Sequence, residues 1–193
     1  MDIGHDSCRV SGETAPTSRV AAVVLAAGEA TRFGTPKQRL LLPRVLRRLA
    51  HAGIDDVVVV AGAYPVEAGS ARVVTAFDWA LGPGASLRAG LAVLGSDVDA
   101  AVVVLADGPM LVPEAVTRVL GAWRAGSEDV VAASYGGERG HPLVLGRDTW
   151  RDVPDDGLRG ARVTLVPCDD LGAPGDVDTP QDLRALGLDA DEE

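Results

Sequence analysis

The stretch Val20-Ala-Ala-Val-Val-Leu-Ala-Ala-Gly-Glu-Ala-Thr-Arg-Phe-Gly-Thr-Pro-Lys-Gln38 reads as a buried strand that runs into a loop of small residues and ends on a lysine. Its apolar run at 20–25 does not alternate, which is the pattern of a strand covered on both faces. Leu25, Ala26, Ala27 and Gly28 then form a strand end and loop where backbone N–H groups can approach a ligand closely. Lys37 is the lone lysine among the 18 Lys and Arg residues. Lysine gives a compact point charge on a flexible stem, whereas arginine gives a planar fork. An ammonium and Arg32 beside a glycine loop at a strand end make a setting for a phosphate chain. A flexible turn with two solvated bases would account for the same residues, and the loop alone does not separate these readings.

Outward from this stretch, further apolar runs at 57–60, 72–74, 101–105, 130–133, 143–145 and 163–166 read as strands. Helical patterns at 40–51, 87–94, 113–125 and 180–186 lie between them. Pro113 and Pro180 suit first-turn positions, and Thr179 and Ser86 suit N-caps. Alternating strands and helices predict a three-layer, Rossmann-like α/β fold with a mainly parallel sheet and ligands at the carboxyl ends of the strands. The expected organisation is a disordered tail over 1–18, a single domain over 19–188 and an acidic tail over 189–193.

The net charge of −10 argues against nucleic-acid binding, which leaves a basic footprint. It also means that a local anion site has to overcome an unfavourable global field. No run approaches the roughly 18 continuous apolar residues that span a bilayer, and the first residues lack the features of a signal peptide. A cytoplasmic protein with no membrane partner is the expectation. Cys8 and Cys168 have neither CxxC spacing nor a matching histidine cluster, so they read as ordinary thiols.

Four further motifs carry candidate chemistry. Leu81-Gly-Pro-Gly-Ala-Ser-Leu-Arg-Ala-Gly90 brings Ser86 to a helix N-terminus, where anions are favoured, and Arg88 into the first turn. A cation in that turn calls for an anion nearby. Ala101-Val-Val-Val-Leu-Ala-Asp-Gly-Pro109 ends an apolar strand on Asp107, a suitable ligand for Mg²⁺, which takes one or two protein carboxylates plus phosphates and water. Asp178, in Asp176-Val-Asp-Thr-Pro180, is a possible second ligand; an Asp at a helix start also occurs for local reasons. Tyr135-Gly-Gly-Glu-Arg-Gly-His-Pro142 reads as a glycine-rich hairpin presenting Arg139 and His141, and Gly157-Leu-Arg-Gly-Ala-Arg162 adds Arg159. The first loop has neither the Gly-Lys-Ser/Thr ending of a Walker A motif nor GxGxxG, which weighs against an NAD-dependent oxidoreductase.

Together and in this order, these segments resemble the MobA-like nucleotidyltransferases, most closely the molybdenum cofactor cytidylyltransferase branch. The resemblance rests on LAAGEATRFGTPKQ, GASLRAGL, VVVLADGPML, YGGERGHPLVL, GLRGARVTL and DVDTPQDL, from residue 20 to about 186. It implies a GT-A-type sheet that binds an NTP across the first loop, with Mg²⁺ held by Asp107. Leu-Ala-Ala-Gly, rather than the Leu-Ala-Gly-Gly of the guanylyltransferase branch, leans towards CTP. Arg32 and Lys37 would serve the triphosphate, Leu25 to Gly28 and Ser86 the nucleotide, and Arg88, Arg139, His141 and Arg159 a phosphorylated acceptor such as molybdopterin. A molybdoenzyme would be a possible protein partner.

The chain departs from that pattern in four places. The segment after Lys37 and the one after Tyr64 are short, Ala76-Phe77 replaces an Asn-Pro, and Gly108 follows the metal Asp. These changes leave two alternatives in view. One is the same transfer onto a sugar phosphate or a small alcohol phosphate; the other is a non-catalytic nucleotide- or cofactor-binding protein that serves a molybdoenzyme.

Overall fold

The computed structural model describes residues 18–28, 38–126, 128–175, 177 and 179–185. Arg32, Lys37, Asp178, Cys8 and most of both expected tails lie outside the described residues. In chain order the elements are β1 (Val20–Ala26), α1 (Gln38–His51), β2 (Val57–Ala61), β3 (Arg72–Thr75), α2 (Pro83–Ala92), β4 (Ala100–Leu105), α3 (Pro113–Ala125), β5 (Val130–Tyr135), β6 (Glu138–Gly146), β7 (Thr164–Pro167) and α4 (Pro180–Ala185). Every strand and helix expected from the sequence is present.

The strands form one sheet in the order β3-β2-β1-β4-β6-β5-β7. All pairs are parallel except those of β6, which runs antiparallel to both β4 and β5. The reversal comes from a two-residue turn at Gly136-Gly137, where both φ angles are positive at 61° and 80°. That geometry matches the twist of a hairpin and needs residues without a Cβ penalty. The seam between β4 and β6 thereby places the start of an antiparallel strand beside the carboxyl ends of parallel ones.

Both sheet faces are covered, as the unbroken Val and Ala runs require. Ala22, Val24, Val59, Val102 and Val104 pack beneath Leu42, Val45 and Leu49 of α1 and Val116 and Val119 of α3. Ala21, Val23, Val58, Val60, Ala101 and Val103 face Leu87 and Leu91 of α2 on the other side. Burying a Val or Leu side chain contributes about 1.5–3 kcal/mol, so the central strands anchor the loops at their ends. No helix among the described residues is long and apolar enough to cross a membrane.

Two N-caps were expected, and one needs correction. At Thr179 the box is present: its hydroxyl accepts the Asp182 N–H at 3.2 Å, and its own N–H donates to the Asp182 carboxylate at 2.7 Å. Ser86 does not cap. Helix α2 begins earlier, at Pro83 behind Gly82, and Ser86 is buried within it. A tertiary contact replaces the cap, because the Asp155 carbonyl accepts the Gly84 N–H at 2.9 Å.

Candidate active site

The carboxyl ends of β1 and β4 are tied together. The Ala106 N–H donates to the Leu25 carbonyl at 3.0 Å, which extends the ladder past β4 and sets Asp107 beside the exit of β1. Asp107 is partly buried, and its carbonyl accepts the Val177 N–H at 3.2 Å. That bond brings Val177 to the same corner. The Asp107 side chain offers hard carboxylate oxygens, a donor type that fits a small divalent cation. Among the described residues, no cluster of three or more His, Cys, Asp or Glu side chains stands ready for a metal. Asp107 is the described carboxylate that stands at this corner.

The loop after β1 is held by backbone. The Ala27 carbonyl accepts the Ala63 N–H at 3.1 Å, while Gly28 is exposed. Gly62 allows this approach: a Cβ there would stand 2.5 Å from the Ala27 carbonyl oxygen and 2.7 Å from the Ala27 Cβ. Nothing in the local sequence flagged Gly62, because the contact that requires it lies on another strand.

Opposite Asp107 stand Arg139 and His141, delivered by the start of β6. His141 is partly buried, and burial lowers its pKa first, Arg139 second, with Asp107 pulling the other way, so that it reaches about 4. At neutral pH it is therefore an uncharged imidazole, able to donate from one nitrogen and accept at the other. Arg139 is partly buried as well; burial lowers its pKa, but a guanidinium remains a cation. Its Nη1 donates to the Leu158 carbonyl at 2.5 Å. The Tyr135 hydroxyl donates to the His141 carbonyl at 3.1 Å, and burial pushes the phenol up to about 12, so it stays protonated.

Arg139 and His141 line a cleft of about 460 Å³ together with Leu25, Leu105 and Arg159. A second cleft of about 420 Å³ shares Leu105, Arg139 and His141 but draws on Val104, Leu111 and Tyr135. The cores divide the same way, Val103 and Leu143 facing α2 and Val104 facing α1 and α3. The start of β6 is therefore the wall between two hollows on opposite faces of the sheet.

The structure thus lines one cleft with Leu25, Arg139, His141 and Arg159; Asp107 lines neither cleft and joins the corner through the Ala106–Leu25 bond and its electrostatic pull on His141. The structure does not bring Arg88 there. Arg88 donates from Nη1 to the Val153 carbonyl at 2.7 Å and from Nη2 to the Asp155 carboxylate. With α2 starting at Pro83, Arg88 lies beyond the first turn, and its anion is Asp155, so the acceptor role expected for Arg88 loses its basis. Ser86, buried at 3% exposure, is absent from the cleft lining, whereas its neighbours Pro83 and Leu87 form part of it. The wall at 154–158 was not legible from sequence. Its signal was the Gly82-Pro-Gly84 turn: a Cβ on Gly84 would lie 1.7 Å from the Pro154 carbonyl oxygen.

A model of the MobA-like NTP transferase domain matches residues 22–169. The chain belongs to that family. Among solved structures it is similar to Rv0371c from Mycobacterium tuberculosis H37Rv, at 28% identity over 89% of this chain and 98% of that one, with a TM-score of 0.72. It is also similar to a homolog of that protein from Mycobacterium sp. strain JC1, at 25% identity over 87% and 94% of the two chains, with a TM-score of 0.70. A manganese complex of Rv0371c aligns at 25% identity over 88% and 97%, with a TM-score of 0.68. No curated protein matches the chain. The seven-strand, mostly parallel sheet with helices on both faces is the Rossmann-like α/β fold of the nucleotidyltransferases.

Proposed function

We propose that this nucleotidyltransferase moves a nucleoside monophosphate, CMP from CTP, onto the phosphate of molybdopterin and releases diphosphate. The observation that carries the reading is the convergence of Asp107, Arg139 and neutral His141 beside the Leu25–Gly28 backbone. An acceptor phosphate oxygen attacks the α-phosphorus in line, the bond to the β-phosphate breaks, and no covalent enzyme intermediate forms. Catalysis is then mostly positioning and charge neutralisation.

On the nucleotide side, backbone N–H groups at Ala26 to Gly28 hold the ligand, and Lys37 and Arg32 screen the triphosphate and the leaving diphosphate. On the acceptor side, Arg139 and Arg159 meet the anionic group, and His141 offers a hydrogen bond without a competing charge. Asp107, with Asp178, would hold Mg²⁺, and such a cation neutralises charge on phosphate oxygens. A divalent ion is supported by the hard oxygen donors at Asp107 and by the manganese complex of the mycobacterial relative. CTP rests on the Leu-Ala-Ala-Gly loop.

The test is diphosphate release from CTP, GTP and ATP with Mg²⁺, with and without molybdenum cofactor. Release that is selective for CTP and requires the cofactor is the expected result. Release that requires a sugar phosphate instead would replace the acceptor. Binding of CTP without release under any acceptor would replace catalysis by carriage.

A further inference from the structure

A second hollow of about 580 Å³ lies further along α2, lined by Arg88, Leu91, Leu94, Arg147, Trp150 and Arg151, with Asp148 its one lining carboxylate. It shares no lining residue with the cleft, which takes Pro83 and Leu87 from the start of the same helix. Arg147 is fixed there. Its Nε donates to the Val98 carbonyl at 2.8 Å, its Nη2 to the Gly95 carbonyl, and its guanidinium sits 4.5 Å from the Trp150 ring centroid. Carbonyls and a ring orient the fork but leave its charge uncompensated. Arg151 is exposed, and no ion pair joins Arg147, Asp148 or Arg151 to another described residue. In a chain of net charge −10, Arg147 and Arg151 set two guanidiniums against the one carboxylate of Asp148 in this hollow, while Arg88 is held by Asp155.

Arg88 connects this hollow to the cleft. It grips the Val153 carbonyl and the Asp155 carboxylate, and the Asp155 carbonyl takes the Gly84 N–H. The residues that follow, Asp156 to Arg159, wall the cleft, and the Leu158 carbonyl fixes Arg139. We propose that the hollow is a second anion site, taking a small phosphate- or carboxylate-bearing anion and acting on the cleft through Arg88. Arginine forks match either group bidentately. An anion held by Arg147 and Arg151 competes with Asp155 for the Arg88 fork and loosens the loop that positions Arg139.

The probe is inorganic phosphate, titrated calorimetrically into the full chain as wild type, as Lys37→Ala and as Arg151→Gln. Arg151 is exposed, so its loss leaves the fold intact. The proposal expects saturable binding that survives Lys37→Ala and weakens about tenfold in Arg151→Gln, the loss of one charge-assisted contact. It also expects phosphate to speed amide hydrogen exchange at 155–159, the N–H groups that follow Pro154, in the wild type but not in Arg151→Gln. Phosphate binding indifferent to Arg151→Gln, or no saturable binding, overturns the site. Binding with unchanged exchange at 155–159 overturns its action on the cleft. Neither readout requires turnover, so both stand apart from the transferase reading.

Discussion

The two halves of the sheet meet at Asp107 and are built differently. In β3, β2, β1 and β4 every pairing is parallel and the central strands are almost wholly Val, Ala and Leu. What this half presents at its carboxyl edge is backbone, from Leu25 to Gly28. The half made of β6, β5 and β7 reverses through the Gly136-Gly137 turn and presents side chains, Arg139 and His141, with Tyr135 bracing them from beneath. Backbone N–H groups suit what all nucleotides share, a phosphate chain. Side chains of two different chemistries suit a ligand with an identity of its own. The division predicts that damage to the first half is felt by the nucleotide, damage to the second by the acceptor, and damage at the seam by both.

The seam comes first because its effect is largest. Asp107→Ala is expected to lower metal-dependent turnover by about three orders of magnitude, the scale of losing a preorganised electrostatic centre, with an unfolding midpoint close to that of wild type. Steady-state rates and thermal unfolding check this pair, and near-normal turnover would remove Asp107 from the chemistry. Next is the nucleotide half: Lys37→Ala should cost about 2–4 kcal/mol of transition-state stabilisation in kcat/KM, with the acceptor KM unmoved. A shift in acceptor KM alone would erase the division between halves.

The acceptor half carries a pH signature. The His141 pKa falls from the ordinary 6.5 to about 4 in the folded protein. The unfolded chain therefore binds more protons between those values, and stability that is complete above pH 6.5 is lost as the pH drops towards 4. Between pH 7 and pH 4.5 the loss attributable to His141 is about 2–3 kcal/mol. Urea unfolding of wild type and His141→Gln at both pH values measures it, and equal pH dependence in the two would place His141 in water. The smallest effect returns to the first half. Gly62→Ala forces the Ala27 backbone away from Ala63 and should raise the nucleotide KM about tenfold, because small misplacements at a binding loop are costly. An unchanged nucleotide KM would mean that the loop at Ala27 plays no part in binding.

Much of this division could be read from the residues. Valine runs without alternation announced doubly covered strands, and Tyr135-Gly-Gly-Glu announced the hairpin that presents Arg139 and His141. A carboxylate ending an apolar strand marked Asp107 as a candidate, although an Asp before Gly also forms turns for local reasons. What escaped were contacts made by distant backbone. Ser86 looked like a cap because the Gly82-Pro-Gly84 turn precedes it, yet the Asp155 carbonyl does the capping and lets the helix start at Pro83. Arg88 looked like an anion ligand for a sound reason, but its anion belongs to the protein and lies at a sequence separation of 67 residues. Gly62 and the wall at 154–158 share that property, since the partner that gives each its meaning is far away in the chain.

The most direct measurement is a crystal structure of the protein with CTP and Mg²⁺. The account predicts the triphosphate against the Ala26–Gly28 backbone with Lys37 on it, the metal on Asp107, and the Arg139–His141 wall left open for the acceptor. A nucleotide seated instead against Arg139 and His141, with no metal at Asp107, would contradict the assignment of the two halves.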